Sequence, residues 1–135
     1  MSKTKIILVD DHEAFRKGFK MVIEELPDVE VIAEASSGTE FLEILNSQMP
    51  DLVFMDIRMP GISGLEASRS AINTFPEIKI IMLSMFGEIK YIEDAISSGA
   101  AGFLLKPPSL SQLQKAFTLV MNGETYFPLP ATTGK

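Results

Sequence analysis

The chain has 135 residues, a formal net charge of −6 and no cysteine. This length predicts one domain with its own hydrophobic core, and the absence of cysteine excludes a disulfide framework and a cysteine metal site. The acidic balance argues against direct binding of nucleic acid, which needs basic patches. No apolar run approaches the roughly 18 residues of a membrane span, and the amino terminus lacks the features of a signal peptide, so we expect a cytoplasmic protein.

Five short segments are predicted to be strands. They span residues 6–9, 29–35, 52–56, 78–83 and 102–105. The continuous apolar run that leads into Asp56 predicts a strand that is covered on both faces, as in a parallel sheet.

A segment with helical periodicity follows each of these strands. Apolar residues three and four positions apart mark one face of each helix, as at Ile89, Ile92 and Ile96. Capping boxes are expected to begin three of the helices. These boxes lie at residues 37–40, 63–66 and 109–112.

Proline and glycine residues are expected to end the helices. The stops lie at Pro27, Pro50, Pro76, Gly99 and Gly123. Strand and helix therefore alternate five times along the chain. This alternation predicts an α/β fold, in which a doubly wound parallel sheet of five strands carries helices on both faces. The order of the strands in the sheet stays open.

Polar residues stand at the ends of four predicted strands. Asp10 and Asp11 follow the first strand, Asp56 ends the third, Ser84 follows the fourth and Lys106 follows the fifth. In a parallel sheet these ends lie at one edge, where open α/β sheets bind their ligands. We therefore expect carboxylates, a hydroxyl group and an ammonium group to converge there.

This set of side chains suits a divalent cation and a phosphoryl group. Neighbouring carboxylates repel one another unless a cation lies among them, and oxygen ligands with several waters suit Mg²⁺. A metal-neutralised aspartate beside a lysine and a hydroxyl group suits attack on phosphorus. Each residue alone also has a structural explanation: Asp10 and Asp11 as acids at a helix start, and Ser84 and Lys106 as loop residues. Their convergence favours the site.

His12, the single histidine of the chain, follows the acid pair. It is a candidate metal ligand or phosphodonor. An exposed side chain in the first turn of a helix is the favoured interpretation.

The sequence resembles the receiver domain of two-component response regulators over residues 4–123. The stretches 7–12 and 99–106 are most similar to the NarL/FixJ branch, whose members carry a LuxR-type output domain. The resemblance implies a flavodoxin-like (CheY-like) fold and a switch that is controlled by phosphorylation. The residues that carry it are Asp10-Asp11, Asp56, Met59-Pro60-Gly61, Gly64, Ser84, Gly99 to Lys106, and Pro107.

The resemblance implies a role for each acidic residue. Asp56 would accept a phosphoryl group from a phosphohistidine of a sensor histidine kinase. Asp11, Asp56 and the backbone carbonyl of Arg58 would bind Mg²⁺ directly, and Asp10 would act largely through water. The domain would assist its own phosphorylation and dephosphorylation without being an enzyme.

Further residues would respond to the phosphoryl group. Lys106 would pair with the phosphoryl oxygens, Ser84 would swing to hydrogen-bond the phosphate, and Phe103 would follow it inward as an aromatic switch. The resemblance also implies a cis peptide bond between Lys106 and Pro107.

The resemblance implies the organisation of a longer protein. Residues 1–123 would be the receiver, and residues 124–135 would be the start of an interdomain linker or a tail left by cloning. A DNA-binding helix-turn-helix domain would follow as the output. The expected partners are the kinase, this output domain and, on phosphorylation, a second copy of the chain. Neither nucleic acid nor membrane is expected to bind residues 1–135 directly.

Three other functions compete with this interpretation. An aspartyl-phosphate phosphatase of the haloacid-dehalogenase type would need a second aspartate where Arg58 stands. A flavodoxin-like nucleotide binder would need a glycine-rich turn in place of the acidic residues 10–13. A receiver that is never phosphorylated would serve as a constitutive interaction module, but such domains usually lose part of the acidic set that this sequence keeps.

Overall fold

A parallel sheet of five strands forms the centre of the computed structural model, which describes residues 3–128. The strands are β1 (Thr4–Val9), β2 (Val29–Ala35), β3 (Leu52–Asp56), β4 (Lys79–Ser84) and β5 (Gly102–Leu105). They pair in the order β2-β1-β3-β4-β5, so β3 lies in the middle of the sheet. The predicted doubly wound fold is confirmed.

Helices cover both faces of this sheet. They are α1 (Glu13–Ile23), α2 (Gly38–Ile44), α3 (Gly64–Thr74), α4 (Ile89–Ser97) and α5 (Leu110–Met121). Buried residues of α1 and α5 form one apolar cluster with one face of the sheet, and buried residues of α2, α3 and α4 form another with the opposite face. Successive strand residues alternate between the clusters, because strand side chains point to opposite faces in turn.

Two of the three predicted capping boxes are complete. The side chains of Ser63 and Ser109 each accept a hydrogen bond from the backbone N–H of the third helical residue. The side chain of that residue accepts a hydrogen bond from the serine backbone N–H in return. The prediction at Ser37 is wrong in its second half. The Ser37 side chain accepts from the Glu40 N–H, but the Glu40 carboxylate accepts from the backbone and hydroxyl of Ser36 instead.

Two helices end earlier than their prolines predict. α1 ends at Ile23, four residues before Pro27, and Leu26 is buried although it lies outside the helix. α2 ends at Ile44, well before Pro50, because its last turn tightens into hydrogen bonds between residues three apart. A proline marks where a helix cannot continue, whereas these helices end where local hydrogen bonding changes.

The predicted apolar face of α4 is only partly buried. Ile92 is 1% exposed, but Ile89 and Ile96 are 38% and 45% exposed. α4 packs through Ile92 and the small residue Ala95, which lets the helix approach the sheet closely. β4 also begins and ends one residue later than predicted, so that Ser84 is its last residue.

The chain continues along the outer side of β5 after α5 ends. Tyr126 forms a parallel bridge with Gly102, its N–H donates to the Ala101 carbonyl at 2.9 Å, and its carbonyl accepts from the Phe103 N–H at 2.9 Å. Phe127 packs against the cluster that contains α4. The remainder of the predicted linker, residues 129–135, lies outside the described residues.

None of the helices within residues 3–128 is long and apolar enough to cross a membrane.

Candidate functional site

The carboxyl edge of the sheet brings the strand-end residues together. β3 and β4 are in register at Asp56 and Leu83, and β4 and β5 at Ser84 and Leu105. This register places Asp56, Ser84 and Lys106 at neighbouring strand ends, beside the loop that follows β1. A cavity of about 50 Å³ opens between them, lined by His12, Asp56, Arg58, Ser84, Met85, Phe86 and Lys106.

Lys106 is held by two carboxylates. Its Nζ donates to Asp10 Oδ2 at 2.9 Å and lies 3.3 Å from Asp56 Oδ1. The ring centroid of Phe15 lies 4.7 Å from the same Nζ, within the range of a cation–π contact. Since the lysine side chain is only 6% exposed, these contacts replace the water that an ammonium group would otherwise bind.

Two carboxylate oxygens at this edge are buried without a hydrogen bond from any described residue. They are Asp11 Oδ1 and Asp56 Oδ2. An unpaired oxygen of a buried carboxylate is costly, and such groups usually coordinate a cation. Oxygen atoms of Asp10, Asp11 and Asp56 and a ring nitrogen of His12 lie within 4.8 Å of one another. These donors fit a divalent cation.

The pKa of Asp56 reflects this environment. Burial raises it from the ordinary value of 3.8 to about 6, and the neighbouring Asp10 carboxylate adds to the rise, whereas Lys106 lowers it. Burial together with the neighbouring carboxylates therefore raises the pKa of Asp56 by more than Lys106 lowers it. A cation among the carboxylates would favour the ionised form of Asp56.

Arg16 is a part of the site that the sequence analysis missed. Its guanidinium donates to the backbone carbonyl of Asp10 and to Glu34 Oε1, the latter at 2.9 Å from Nε. Glu34 stands on β2, so this contact ties the first turns of α1 to two strands. The only signal in the sequence is a cation four residues after His12 in an acidic stretch, which is too common to be diagnostic.

Ser84 lines the cavity together with Asp56, but its hydroxyl forms its hydrogen bonds with Phe86. Its hydroxyl accepts from the Phe86 N–H and donates to the Phe86 carbonyl, both at 3.0 Å. The Phe86 ring in turn lies 5.2 Å from the Arg58 guanidinium and 5.8 Å from the Tyr91 ring, measured between centres. The loop after β4 is thus held by hydrogen bonds between its own residues and by the contact of the Phe86 ring with α4.

Phe103 and Pro107 flank Lys106 in the chain. Phe103 is fully buried in the cluster that contains α4, and the Lys106–Pro107 peptide bond is cis. The structure therefore brings oxygen atoms of Asp10, Asp11 and Asp56 within 4.8 Å of one another and places Lys106 against Asp10 and Asp56. Ser84 lines the adjoining cavity, and Phe103 lies on β5.

Comparison with known proteins identifies this arrangement. Residues 6–118 match the family described as the response regulator receiver domain. The chain belongs to the response regulator receiver family. A receiver is the phosphoryl-accepting switch of a two-component system, so the predicted family and class of function are confirmed.

Relatives of this receiver are named as regulators. DegU of Brevibacillus brevis, a transcriptional regulatory protein, is 34% identical over 125 residues, which are 93% of this chain and 53% of DegU. The oxygen regulatory protein NreC of Staphylococcus aureus (strain JH9) is 39% identical over 130 residues, 96% of this chain and 60% of NreC. The receiver thus spans 53–60% of the length of these curated relatives.

A solved structure shows the same architecture. The crystal structure of a LuxR-family two-component response regulator from Aurantimonas sp. SI85-9A1 superposes on this receiver with a TM-score of 0.87. The two are 30% identical, and the match covers 93% of this chain and 89% of that one.

Proposed function

We propose that Asp56 accepts a phosphoryl group from a sensor histidine kinase, and that the resulting conformational change controls an output domain. In the transfer, a carboxylate oxygen of Asp56 forms a bond to phosphorus while the phosphorus–nitrogen bond of the kinase phosphohistidine breaks. The histidine leaves with the bonding electron pair. The observation that supports this proposal is the buried Asp56 carboxylate, whose Oδ2 makes no hydrogen bond to a described residue.

Asp11 and Asp56 would hold Mg²⁺ together with the Arg58 carbonyl, and Asp10 would act through water. The unpaired oxygens of Asp11 and Asp56 fit such an ion. When bound, Mg²⁺ neutralises carboxylates and positions phosphoryl oxygens. Asp56 must be ionised to attack, and its raised pKa shows why a neighbouring positive charge is needed.

Lys106 supplies a second positive charge in the site. Its Nζ already lies 3.3 Å from Asp56 Oδ1, so only a small movement is needed for it to contact an oxygen of a phosphoryl group on Asp56. Phosphoryl transfer depends mainly on positioning and on charge stabilisation, and both are served by a buried lysine that two carboxylates hold in place.

Ser84 and Phe103 would transmit the change. The Ser84 hydroxyl would leave the Phe86 backbone and donate to the phosphate, and Phe103, whose ring is fully buried, would follow the movement of Ser84 as the aromatic switch. Moving a two-state equilibrium from 1:99 to 99:1 takes about 5.5 kcal/mol. A few charge-assisted hydrogen bonds of about 1.5–3 kcal/mol each supply that much.

The output would be a DNA-binding domain that follows the receiver in a cytoplasmic regulator. The relatives are regulators nearly twice as long as the matched part, and one of them is named as a transcriptional regulator. Phosphorylation would favour a homodimer or free the output domain. The receiver itself, with its acidic balance, would bind neither DNA nor membrane.

The test is the intact mass of the protein after incubation with Mg²⁺ and acetyl phosphate. We expect one phosphoryl group on the wild type and on Asp94→Asn, a control that changes an exposed aspartate of α4. Asp56→Asn should gain none, and a chelator should abolish the gain in the wild type. No gain in the wild type would support the constitutive interaction module instead. A gain in Asp56→Asn would mean that another residue is the acceptor.

A further inference from the structure

His12 lies at the acidic cluster although it is an exposed residue of a helix start. Its Nδ1 is 3.3 Å from Asp10 Oδ1 and 3.4 Å from Asp11 Oδ1, while its side chain is 62% exposed. Its backbone N–H donates to Asp10 Oδ1 at 2.8 Å, and the ring Nδ1 lies within hydrogen-bond distance of the same oxygen. Both contacts keep the ring at the edge of the cluster.

Helix capping does not explain the ring position. His12 is the N-cap residue of α1, but its side chain makes no capping hydrogen bond. The ring nitrogen is also shared between two carboxylates at distances longer than the roughly 2.7–2.9 Å of a charge-assisted hydrogen bond. Asp11 Oδ1 counts as unpaired despite its proximity to the ring.

The distances agree with a shared metal ion. Divalent ions bind nitrogen and oxygen ligands at roughly 2.0–2.2 Å, so adjacent ligands of an octahedral ion lie about 3 Å apart. The distance from Nδ1 to Oδ1 of Asp11, a direct ligand in the proposed site, is 3.4 Å and close to that spacing. Independently of His12, the buried and unpaired Asp56 Oδ2 belongs to the same cluster.

We propose that His12 binds the divalent ion of this receiver through Nδ1, so that the site favours an imidazole-accepting ion such as Mn²⁺ over Mg²⁺. The inference rests on the metal site of the proposed function and adds a ligand to it. Mg²⁺ prefers oxygen ligands and retains its waters, whereas first-row transition ions accept imidazole. The nitrogen would replace one water molecule of the ion.

Pulsed electron paramagnetic resonance of bound Mn²⁺ tests this directly. A coordinated imidazole gives a ¹⁴N modulation, and the chain has a single histidine, so the source of such a signal is unambiguous. We expect the modulation in the wild type and its absence in His12→Gln, which keeps a polar side chain without the ring. Removal of one ligand should weaken Mn²⁺ binding about tenfold and change Mg²⁺ binding much less. Circular dichroism of both proteins controls for folding.

The outcomes separate the inference from the proposed function. Mn²⁺ bound by the wild type without ¹⁴N modulation would overturn His12 as a ligand and leave the phosphoacceptor proposal intact. Equal loss of Mn²⁺ and Mg²⁺ affinity in His12→Gln would also overturn the preference for Mn²⁺. No binding of either ion by the wild type would overturn the metal site itself, and the proposed function with it.

Discussion

Asp56 is a single residue whose burial opposes its own ionisation. It is 4% exposed, and it faces Asp10 and Asp11 as well as Lys106. In the absence of a cation, the native state therefore holds a proton on Asp56 at pH values where the unfolded chain has lost it. The free energy of unfolding falls as the pH rises through this window.

We predict that this pH dependence disappears in Asp56→Asn. The pKa of Asp56 is about 6 in the folded protein against 3.8 ordinarily. The free energy of unfolding of the wild type should therefore fall as the pH rises from the lower of these values to about pH 7. Relative to Asp56→Asn, the loss should reach about 2 kcal/mol from about pH 4.5 to about pH 7.5. Urea unfolding of both proteins in a chelator measures it, and titrating groups remote from Asp56 cancel in the difference. A difference that does not change with pH would contradict the raised pKa.

The polar residues of the site were predictable and their contacts were not. A polar residue at the end of an apolar strand is visible in the sequence, which is how Asp56 and Lys106 were found. The ion pair between Arg16 and Glu34 depends on how α1 lies over β2. The hydrogen bond of the Ser84 hydroxyl with Phe86 depends on rotation about one side-chain bond. Neither can be deduced from spacing along the chain.

The connection from β3 to α3 ends at Gly64, where there is no space for a side chain. A Cβ on Gly64, the first residue of α3, would lie 2.0 Å from the carbonyl oxygen of Asp56. The Gly64 N–H donates to the Ile57 carbonyl at 2.8 Å, which holds the helix start against the strand end. The loop that carries Arg58 is closed by this contact.

We predict that Gly64→Ala destabilises the domain by about 3 kcal/mol or more, because backbone must move to admit the methyl group. Gly18→Ala is the matched control, since a Cβ there meets nothing within 4 Å in the middle of α1. That change should stabilise the domain by about 0.5–1 kcal/mol. Equilibrium unfolding in urea measures both. Similar effects of the two substitutions would show that the close approach of Gly64 is not required.

Strands were predicted better than helices for a physical reason. The central strand β3 is buried throughout and apolar up to Asp56, and it has the predicted bounds, as do β2 and β5. β4 differs by one residue, and β1 begins two residues earlier than predicted. A helix needs burial on one side only, and its end depends on a few backbone hydrogen bonds. The ends of α1 and α2 were misplaced for that reason, as was the burial of Ile89 and Ile96.

At the scale of the whole molecule, the sheet has one edge at β2 and one at β5. Residues 124–128 lie along β5 and satisfy backbone groups there, at Ala101 and Phe103. The sequence suggested that the receiver ends at residue 123, and a comparison of shortened chains tests this boundary.

We predict that a protein ending at residue 123 is less stable than one ending at residue 128. The shorter chain loses three backbone hydrogen bonds, made by Glu124 and Tyr126, and the apolar contacts of Tyr126 and Phe127. The expected loss is about 2–3 kcal/mol, measured by urea unfolding of the two proteins. Equal stability would place the boundary at residue 123 as the sequence suggested.

The hydrogen bond between the Phe103 N–H and the Tyr126 carbonyl connects β5 to the segment that follows α5. Phe103 stands on β5, three residues before Lys106, which directly follows this strand, so the pocket around Asp56 and the segment after α5 contact one stretch of backbone. A shift of that stretch would therefore displace Tyr126 as well, because the two segments are joined by backbone hydrogen bonds.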